Sequence, residues 1–264
     1  MSTIASANKL RRVAIVGGTR IPFCRSNTAY SQLSNLDMLS DTLQHLTEKF
    51  DLAGKKIDEL IAGAVTSHSR DWNLAREAIL STELSPNTPG TTMQMACGTS
   101  LQAAMLIAGR IASGQIECGI AAGSDTTSDA PLVLKPALAK RLLGLGRSKG
   151  ALGKLSALKG LNIGDLAPMA PANAEPRTGL SMGEHCELMA KHWHIGREEQ
   201  DALALGSHAK ADKSYKEGFF DDLVQPYQGV LRDNNIRGDS TLEKLATLAP
   251  AFDRTARGTL TAAN

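Results

Sequence analysis

An α/β layered domain on a largely parallel sheet, followed by a mainly helical insertion, is the fold class this sequence predicts. Two observations carry it. Over the first 123 residues short apolar, β-branched runs alternate with stretches of helical periodicity, the signature of βαβ units. From Ser124 the character changes to a leucine-, glycine- and lysine-rich stretch, then a proline-rich connector and two helical patterns.

Taken in order, Arg12–Val16 (RVAIV) ends at Gly17-Gly18 and reads as a first, central strand. The glycine pair fits neither G-x-G-x-x-G nor G-x-x-x-x-G-K-[ST], so no phosphate cradle is expected there. Leu36, Leu39, Leu43 and Leu46 give an amphipathic helix over 37–50, with Asp37 and Asp41 toward its positive end. Ile57–Val65 carries a second strand, Asn73–Leu80 a short helix, and SPNTPG at 85–90 a turn.

Thr91–Met95 reads as a short buried strand, Ala96-Cys97-Gly98 as a tight turn, and a helix starts at about Thr99. Leu101, Ala104, Met105, Ala108 and Ile111 recur at helical spacing, so they form its expected core face. Gly98, Ser100, Ala103 and Ala104 are small enough to let neighbouring backbone come close, which points to a helix buried on several sides. Ile116–Ala122 is the next strand, with Cys118 inside it as a core residue.

Between Ala130 and Gly164 stand Lys135, Lys140, Arg141, Arg147, Lys149, Lys154 and Lys159, and no acidic residue. Such a stretch is either a solvated, loosely helical insertion or a basic face for an anionic ligand, a partner or an acidic membrane surface. Residues 165–177 form an irregular connector. Ser181 then caps a helix running to His192, with Glu184 completing a capping box. His185, Met189 and His192 share one face and His194 follows, but without H-E-x-x-H or a fuller ligand set no metal site is expected. Arg197–Lys216 is a second helix, Glu-rich at its start and Lys-rich near its end. Residues 219–230 and 234–235 are extended and turn-like, 237–246 leads into a short helix, and Gly258–Thr261 alternates like the beginning of a strand. Nothing caps the chain at Asn264, which reads as a truncation.

Composition removes several classes. A net charge of +2 and 4% aromatic residues argue against nucleic-acid binding. Cys24, Cys97, Cys118 and Cys186 are too dispersed for a disulfide framework or a zinc site. The N-terminus lacks a secretory apolar core and no run reaches the ~20 apolar residues of a membrane span. A soluble, cytoplasmic protein with reduced thiols is expected.

Cys97 is the candidate for chemistry. A cysteine where a strand turns into a helix faces free backbone N–H groups and the positive end of the helix dipole, which favour the thiolate. The same placement serves the nucleophilic serine of strand–turn–helix hydrolases. A cysteine between Ala and Gly also suits a small buried hydrophobe.

The segment QMACGTSLQAA (94–104) is similar to the surroundings of the acyl-accepting cysteine of thiolases, the acyl-CoA acyltransferases of fatty-acid β-oxidation. EPRTGLSMGEHCE (175–187) resembles their loop-domain segment, LEKLATLAPAFDRTARGTLTAAN (242–264) resembles a later family segment, and Thr19–Phe23 resembles a family turn. The whole is similar to the N-terminal half of a bacterial degradative 3-ketoacyl-CoA thiolase, an acetyl-CoA C-acyltransferase of the trifunctional β-subunit type. The resemblance implies an N-terminal α/β core over 1–123 with a mixed, largely parallel sheet. It further implies a loop domain over 124–246 covering the active site, a return segment over 247–264, and no C-terminal half. It implies Cys97 as the acyl-carrying nucleophile, CoA contacts at Met182, Arg237, Phe252 and Ala262, and no metal or cofactor, coenzyme A being a substrate. Its implied partners are acyl-CoA and CoA, a homodimer or tetramer, a hydratase/dehydrogenase α subunit, and peripheral membrane contact through 130–164. None of His45, His68, His185, His192, His194 and His208 lies in the family's G-H-P context, so little or no turnover is expected of the isolated chain. Two other readings are a biosynthetic acetoacetyl-CoA thiolase and a non-catalytic acyl-CoA-binding or subunit-interaction module.

Overall fold

One short, fully buried strand sets the layers of the first half. β1 (Glu59–Ala62) lies between β2 (Gly90–Thr92) and β3 (Gly119–Ala121), and both pairings are parallel, with Ile61 opposite Thr91 and Ala121. The structure, a computed structural model, describes residues 10–147, 150 and 160–264. It divides into one unit of Met1–Asp129 with Glu187–Asn264 and another of Ala130–Cys186.

Parallel neighbours need crossover connections, and two helices supply them: α2 (Leu74–Leu80) between β1 and β2, and α3 (Thr99–Ala112) between β2 and β3. The strand period of two then sorts the core. Leu60 and Ala62 pack with Leu39 and Leu43 of α1 (Asn35–Lys49) and with Leu74, Ala75, Ala78 and Ile79 of α2. Ile61 faces the other way, onto Ala103 and Ile107 of α3. Leu60, Ile61 and Ile79 are wholly buried, each contributing roughly 1.5–3 kcal/mol. Ser34 caps α1 through a capping box with Asp37, and Asn73 caps α2 through Arg76 N–H at 3.1 Å.

Several expected elements differ. Arg12–Val16 is no strand: among the described residues no ladder pairs with it, and Ile15 and Val16 are exposed. β-branched composition supplies a propensity, but a strand also needs a neighbour to bond, and this segment is held near its ends, by Arg11 N–H to Ala112 O at 2.9 Å, the Arg11–Glu117 pair and Lys49 to Gly18 O at 3.2 Å. Thr91–Met95 lies at the edge of the sheet and is not buried, because β2 has a neighbour on one side only. Cys118 is exposed for the same reason beside the other edge strand, its N–H bonded to Asp58. On α3 the buried stripe is Thr99, Ala103 and Ile107, whereas Leu101, Ala104 and Met105 face solvent.

The later part of this unit is fastened by buried charge. Asp233 takes Arg20 in a bidentate pair at 2.7 and 2.9 Å and accepts Phe23 N–H at 2.7 Å, while the Arg20 guanidinium lies over the Phe23 and Phe220 rings. Burial raises the Asp233 carboxyl's pKa, but Arg20 and the Phe23 N–H outweigh it and hold the group below its ordinary value. Gly258–Thr261 is not a strand; the N–H groups of Thr259, Leu260 and Thr261 go to side chains and that of Gly258 to Thr255 O. Buried Glu187 accepts the N–H groups of Thr259 and Leu260, and Gln200 of α6 (Arg197–Lys216) donates to Thr259 Oγ1 at 3.1 Å. α7 (Leu242–Ala246) is held by Arg197, which donates to Leu245 O at 2.6 Å.

In the unit Ala130–Cys186, Val133 and Met169 form an antiparallel bridge. Helix α4 (Pro136–Arg147) buries Leu138 and exposes Leu142 and Leu143, and Lys135 donates to Gly164 O at 2.5 Å. Lys149, Lys154 and Lys159 of the basic stretch lie outside the described residues. Ser181 caps α5 (Met182–His192) as expected, exchanging bonds with Glu184 at 2.7 and 3.3 Å. Among the described residues no helix is long and apolar enough to cross a membrane.

Candidate functional site

The chain between β2 and α3 makes an elbow. Met93 N–H still bonds to Ala62 O of β1 at 3.0 Å, after which the backbone leaves the sheet. Ala96 takes φ = 45°, the left-handed region, which costs an L-residue about 1–3 kcal/mol and persists only where the surroundings impose it. Gly98 N–H then closes on Met95 O at 3.0 Å, Thr99 N–H on Ala96 O at 3.2 Å, and α3 begins. Cys97 is thus the residue at the outside of the bend, exposed, one position before the helix N-cap Gly98.

The elbow can sit this low on the sheet because two strands end in glycine. A Cβ on Gly63, just after β1, would lie 1.8 Å from Met93 O and 2.8 Å from the Thr99 methyl carbon. One on Gly123, after β3, would come 3.1 Å from Ser100 Cβ. Thr99 and Ser100 therefore rest on bare backbone, and the N-terminal end of α3 is brought against the C-terminal ends of β1 and β3, where open α/β sheets place ligands.

Cys97 and Ser100 open onto a cavity of about 880 Å³, within the size range of small-molecule and cofactor clefts. Its other walls are residues 17–26, one face of α1, β3, and residues 122–128, and the residues that line it include no histidine. Asp125 at its rim accepts Val65 N–H at 2.7 Å and Thr66 N–H at 3.0 Å, which ties the loops after β1 and β3 together. Tyr30, also on the wall, is pushed beyond the ordinary tyrosine range by burial and by Cys24 nearby.

The remaining site residues expected from sequence are placed as follows. Met182 is exposed in the first turn of α5 and Arg237 is exposed, its N–H bonded to His208 Nδ1 at 3.3 Å. Phe252 is half exposed, and Ala262 is exposed beside fully buried Thr261. Of these, Arg237, Phe252 and Ala262 belong to the same unit as the cavity at Cys97 and do not line it. Gly63, Gly123 and Thr99 also shape the site, and their signal in the sequence is a glycine within one apolar run, a glycine after another, and a small hydroxyl residue two places after the cysteine.

Comparison with known proteins agrees with this geometry. Residues 13–264 match the family model "Thiolase, N-terminal domain". A "3-ketoacyl-CoA thiolase" of Aliivibrio fischeri is 42% identical over 259 residues, 96% of this chain and 58% of the relative, and one of Vibrio cholerae is 43% identical over the same length. The chain thus spans 58–59% of the length of these curated relatives. Among solved structures, a Bacillus anthracis acetyl-CoA acetyltransferase superposes with a TM-score of 0.78 at 27% identity, covering 98% of this chain and 63% of that one. The fold also matches the Ascaris suum Acat5 thiolase in complex with coenzyme A, at a TM-score of 0.73 and 24% identity, over 92% of this chain and 59% of that one. A parallel sheet flanked by helices, a cysteine elbow at its C-terminal edge and a family match over nearly every residue lead to one conclusion: the chain belongs to the thiolase family, whose N-terminal domain it comprises.

Proposed function

We propose that the protein is an acetyl-CoA C-acyltransferase that cleaves 3-ketoacyl-CoA with CoA, and that Cys97 carries the acyl group. The observation that carries this reading is the placement of Cys97 on an exposed elbow at the head of α3, opening onto a ligand-sized cavity. A thiolate is both a nucleophile and a leaving group, as thioester exchange requires. Its sulfur attacks the 3-keto carbon, and the carbonyl oxygen becomes an oxyanion beside the backbone N–H of Cys97. Collapse breaks the Cα–Cβ bond; the electron pair passes to the acetyl-CoA fragment, which takes a proton and departs. A second CoA thiolate then attacks the acyl-cysteine, releasing the shortened acyl-CoA and restoring the Cys97 thiolate.

On this reading residues 1–123 form the catalytic core, 124–246 the loop domain and 247–264 the return segment. Met182, Arg237, Phe252 and Ala262 contact CoA, and no metal takes part. The identity to relatives named 3-ketoacyl-CoA thiolase favours the degradative, β-oxidation direction. The enzyme works in the cytoplasm as a homodimer or tetramer, with a hydratase/dehydrogenase α subunit as partner. Exposed Leu142 and Leu143 on a helix that also carries Lys140 and Arg147 favour peripheral contact of the 130–164 region with an acidic membrane. No histidine is among the residues that line the cavity, which favours little or no turnover by the 264-residue chain alone.

The test is intact-mass analysis after incubation with acetyl-CoA and with 3-ketoacyl-CoA. One acyl group on Cys97, lost in Cys97→Ala, is expected. CoA binding that survives Cys97→Ala, with no adduct on the wild type, would overturn the catalytic reading in favour of a binding module.

A further inference from the structure

We infer that Thr99 is the positioning residue that holds the Cys97 elbow in its reactive shape; the inference rests on the acyl-transfer reading of Cys97. Its hydroxyl does two jobs at once. Thr99 Oγ1 accepts the N–H of Met95 at 2.8 Å and donates to the carbonyl of Ala96 at 2.7 Å. Those two groups flank the peptide that must enter the left-handed region at Ala96 for Cys97 to project outward. The side chain therefore closes a ring around the strained residue from inside α3's first turn, where a helix has no carbonyl of its own for Met95.

Its methyl group does something different. It lies against Gly63, where an added Cβ would stand 2.8 Å away, so it fixes how closely the helix start approaches β1. Thr99 is buried while its neighbours Cys97 and Leu101 are exposed, so the hydroxyl works shielded from competing water. Hydroxyl and methyl are separable: valine keeps the shape and loses the hydrogen bonds, whereas serine keeps the bonds and loses the methyl.

The experiment compares wild type, Thr99→Val, Thr99→Ser and Thr99→Ala in the 264-residue chain by two measurements. The first is the rate of Cys97 acylation by acetyl-CoA, read by intact mass and referred to iodoacetamide alkylation of Cys118 in the same molecule. The second is amide hydrogen exchange over 93–99. Thr99→Val is expected to slow acylation at least about tenfold, the rate equivalent of one lost buried hydrogen bond, and to lose protection at Met95 with α1 and α2 unchanged. Thr99→Ser is expected to keep both. If valine does not fold here, alanine against serine makes the same comparison with the methyl removed from each. Acylation and Met95 protection in Thr99→Val equal to wild type overturn the inference, as does lost protection with an unchanged acylation rate. No adduct on wild-type Cys97 defeats the acyl-transfer reading instead, and Met95 exchange then decides whether Thr99 holds the elbow.

Discussion

Removing the Glu187 carboxylate should release the segment that carries Ala262. The side chain is almost completely buried and has more donors than a typical carboxylate in so small a space. Oε1 accepts Thr259 N–H at 3.0 Å and Thr259 Oγ1–H at 3.1 Å, Oε2 accepts Leu260 N–H at 2.9 Å, and Lys191 Nζ stands 3.4 Å away. Glu187→Ala leaves the N–H groups of buried Leu260 and part-buried Thr259 without their acceptor, each costing about 1–3 kcal/mol. Lys191 keeps Asp253 as a partner, so its own loss is small. The sum is about 2–6 kcal/mol, which brackets the roughly 3–5 kcal/mol for breaking a buried charged pair. Glu187→Gln keeps the shape but turns an NH2 toward one of the N–H groups, and should cost about 1–3 kcal/mol.

Urea unfolding at pH 7 reads the cost, and trypsin cleavage after exposed Arg254 and Arg257 reads local release. The pH dependence supplies a second check. Burial raises the Glu187 pKa, but the N–H groups of Leu260 and Thr259, the Thr259 hydroxyl and Lys191 outweigh it, so the folded value is depressed. Stability from this group is therefore present above the ordinary glutamate value, about 4.3, and is lost as pH falls through the lower folded value. The gap between wild type and Glu187→Gln should accordingly narrow in acid. A Glu187→Ala protein within about 1 kcal/mol of wild type at pH 7, with unchanged trypsin cleavage, would refute the clamp.

Gly63→Ala should destabilise the chain by about 2–3 kcal/mol in chemical denaturation, because the new carbon meets a backbone carbonyl at 1.8 Å that cannot step aside. Asp233→Asn should cost about 3 kcal/mol by the same measurement, since it leaves the half-buried Arg20 without its bidentate partner. Ile107→Ala should cost about 2–4 kcal/mol and Leu101→Ala under about 0.5 kcal/mol, the contrast between a buried and a solvent-facing position on one helix. In a spectrophotometric thiolysis assay the 264-residue chain should show acylation of Cys97 without sustained turnover.

Much of the architecture was legible because it rests on local chemistry. The crossover pattern of strand and helix, the Ser181–Glu184 capping box and the Arg197–Lys216 helix each follow from residues a few positions apart, and the structure contains all three. The turn at Cys97 was legible for the same reason. What local pattern could not supply was pairing. RVAIV has strand composition, but a ladder depends on what lies beside it, and in Gly258–Thr261 the N–H groups of Thr259 and Leu260 go to Glu187, 72 and 73 positions away, instead of to a strand. The clamp on Asp233 was equally invisible, since Arg20 and Asp233 are 213 residues apart.

Helix α3 shows where periodicity reaches its limit. Its apolar and small residues run almost all the way round, so two stripes satisfy the same 3.6-residue rule: Leu101, Ala104, Met105, Ala108 and Ile111, of which only Ile111 packs on the core, or Thr99, Ala103 and Ile107. Counting apolar side chains selects the first stripe, because leucine and methionine outweigh threonine and alanine. Sheet geometry selects the second. The helix starts only two residues after Cys97 and passes close over β1 and β3, where Gly63 and Gly119 leave the space that Thr99 and Ile107 fill: a Cβ on Gly63 would lie 2.8 Å from the Thr99 methyl, and one on Gly119 2.7 Å from Ile107. A stripe that begins with a small hydroxyl residue and continues with alanine is the one that fits such an approach. The same constraint places Thr99 under the elbow, so the residue that packs the helix onto the sheet is also the one whose hydroxyl meets Met95 and Ala96. Packing of the helix onto the sheet and the shape of the Cys97 elbow are two consequences of one close contact.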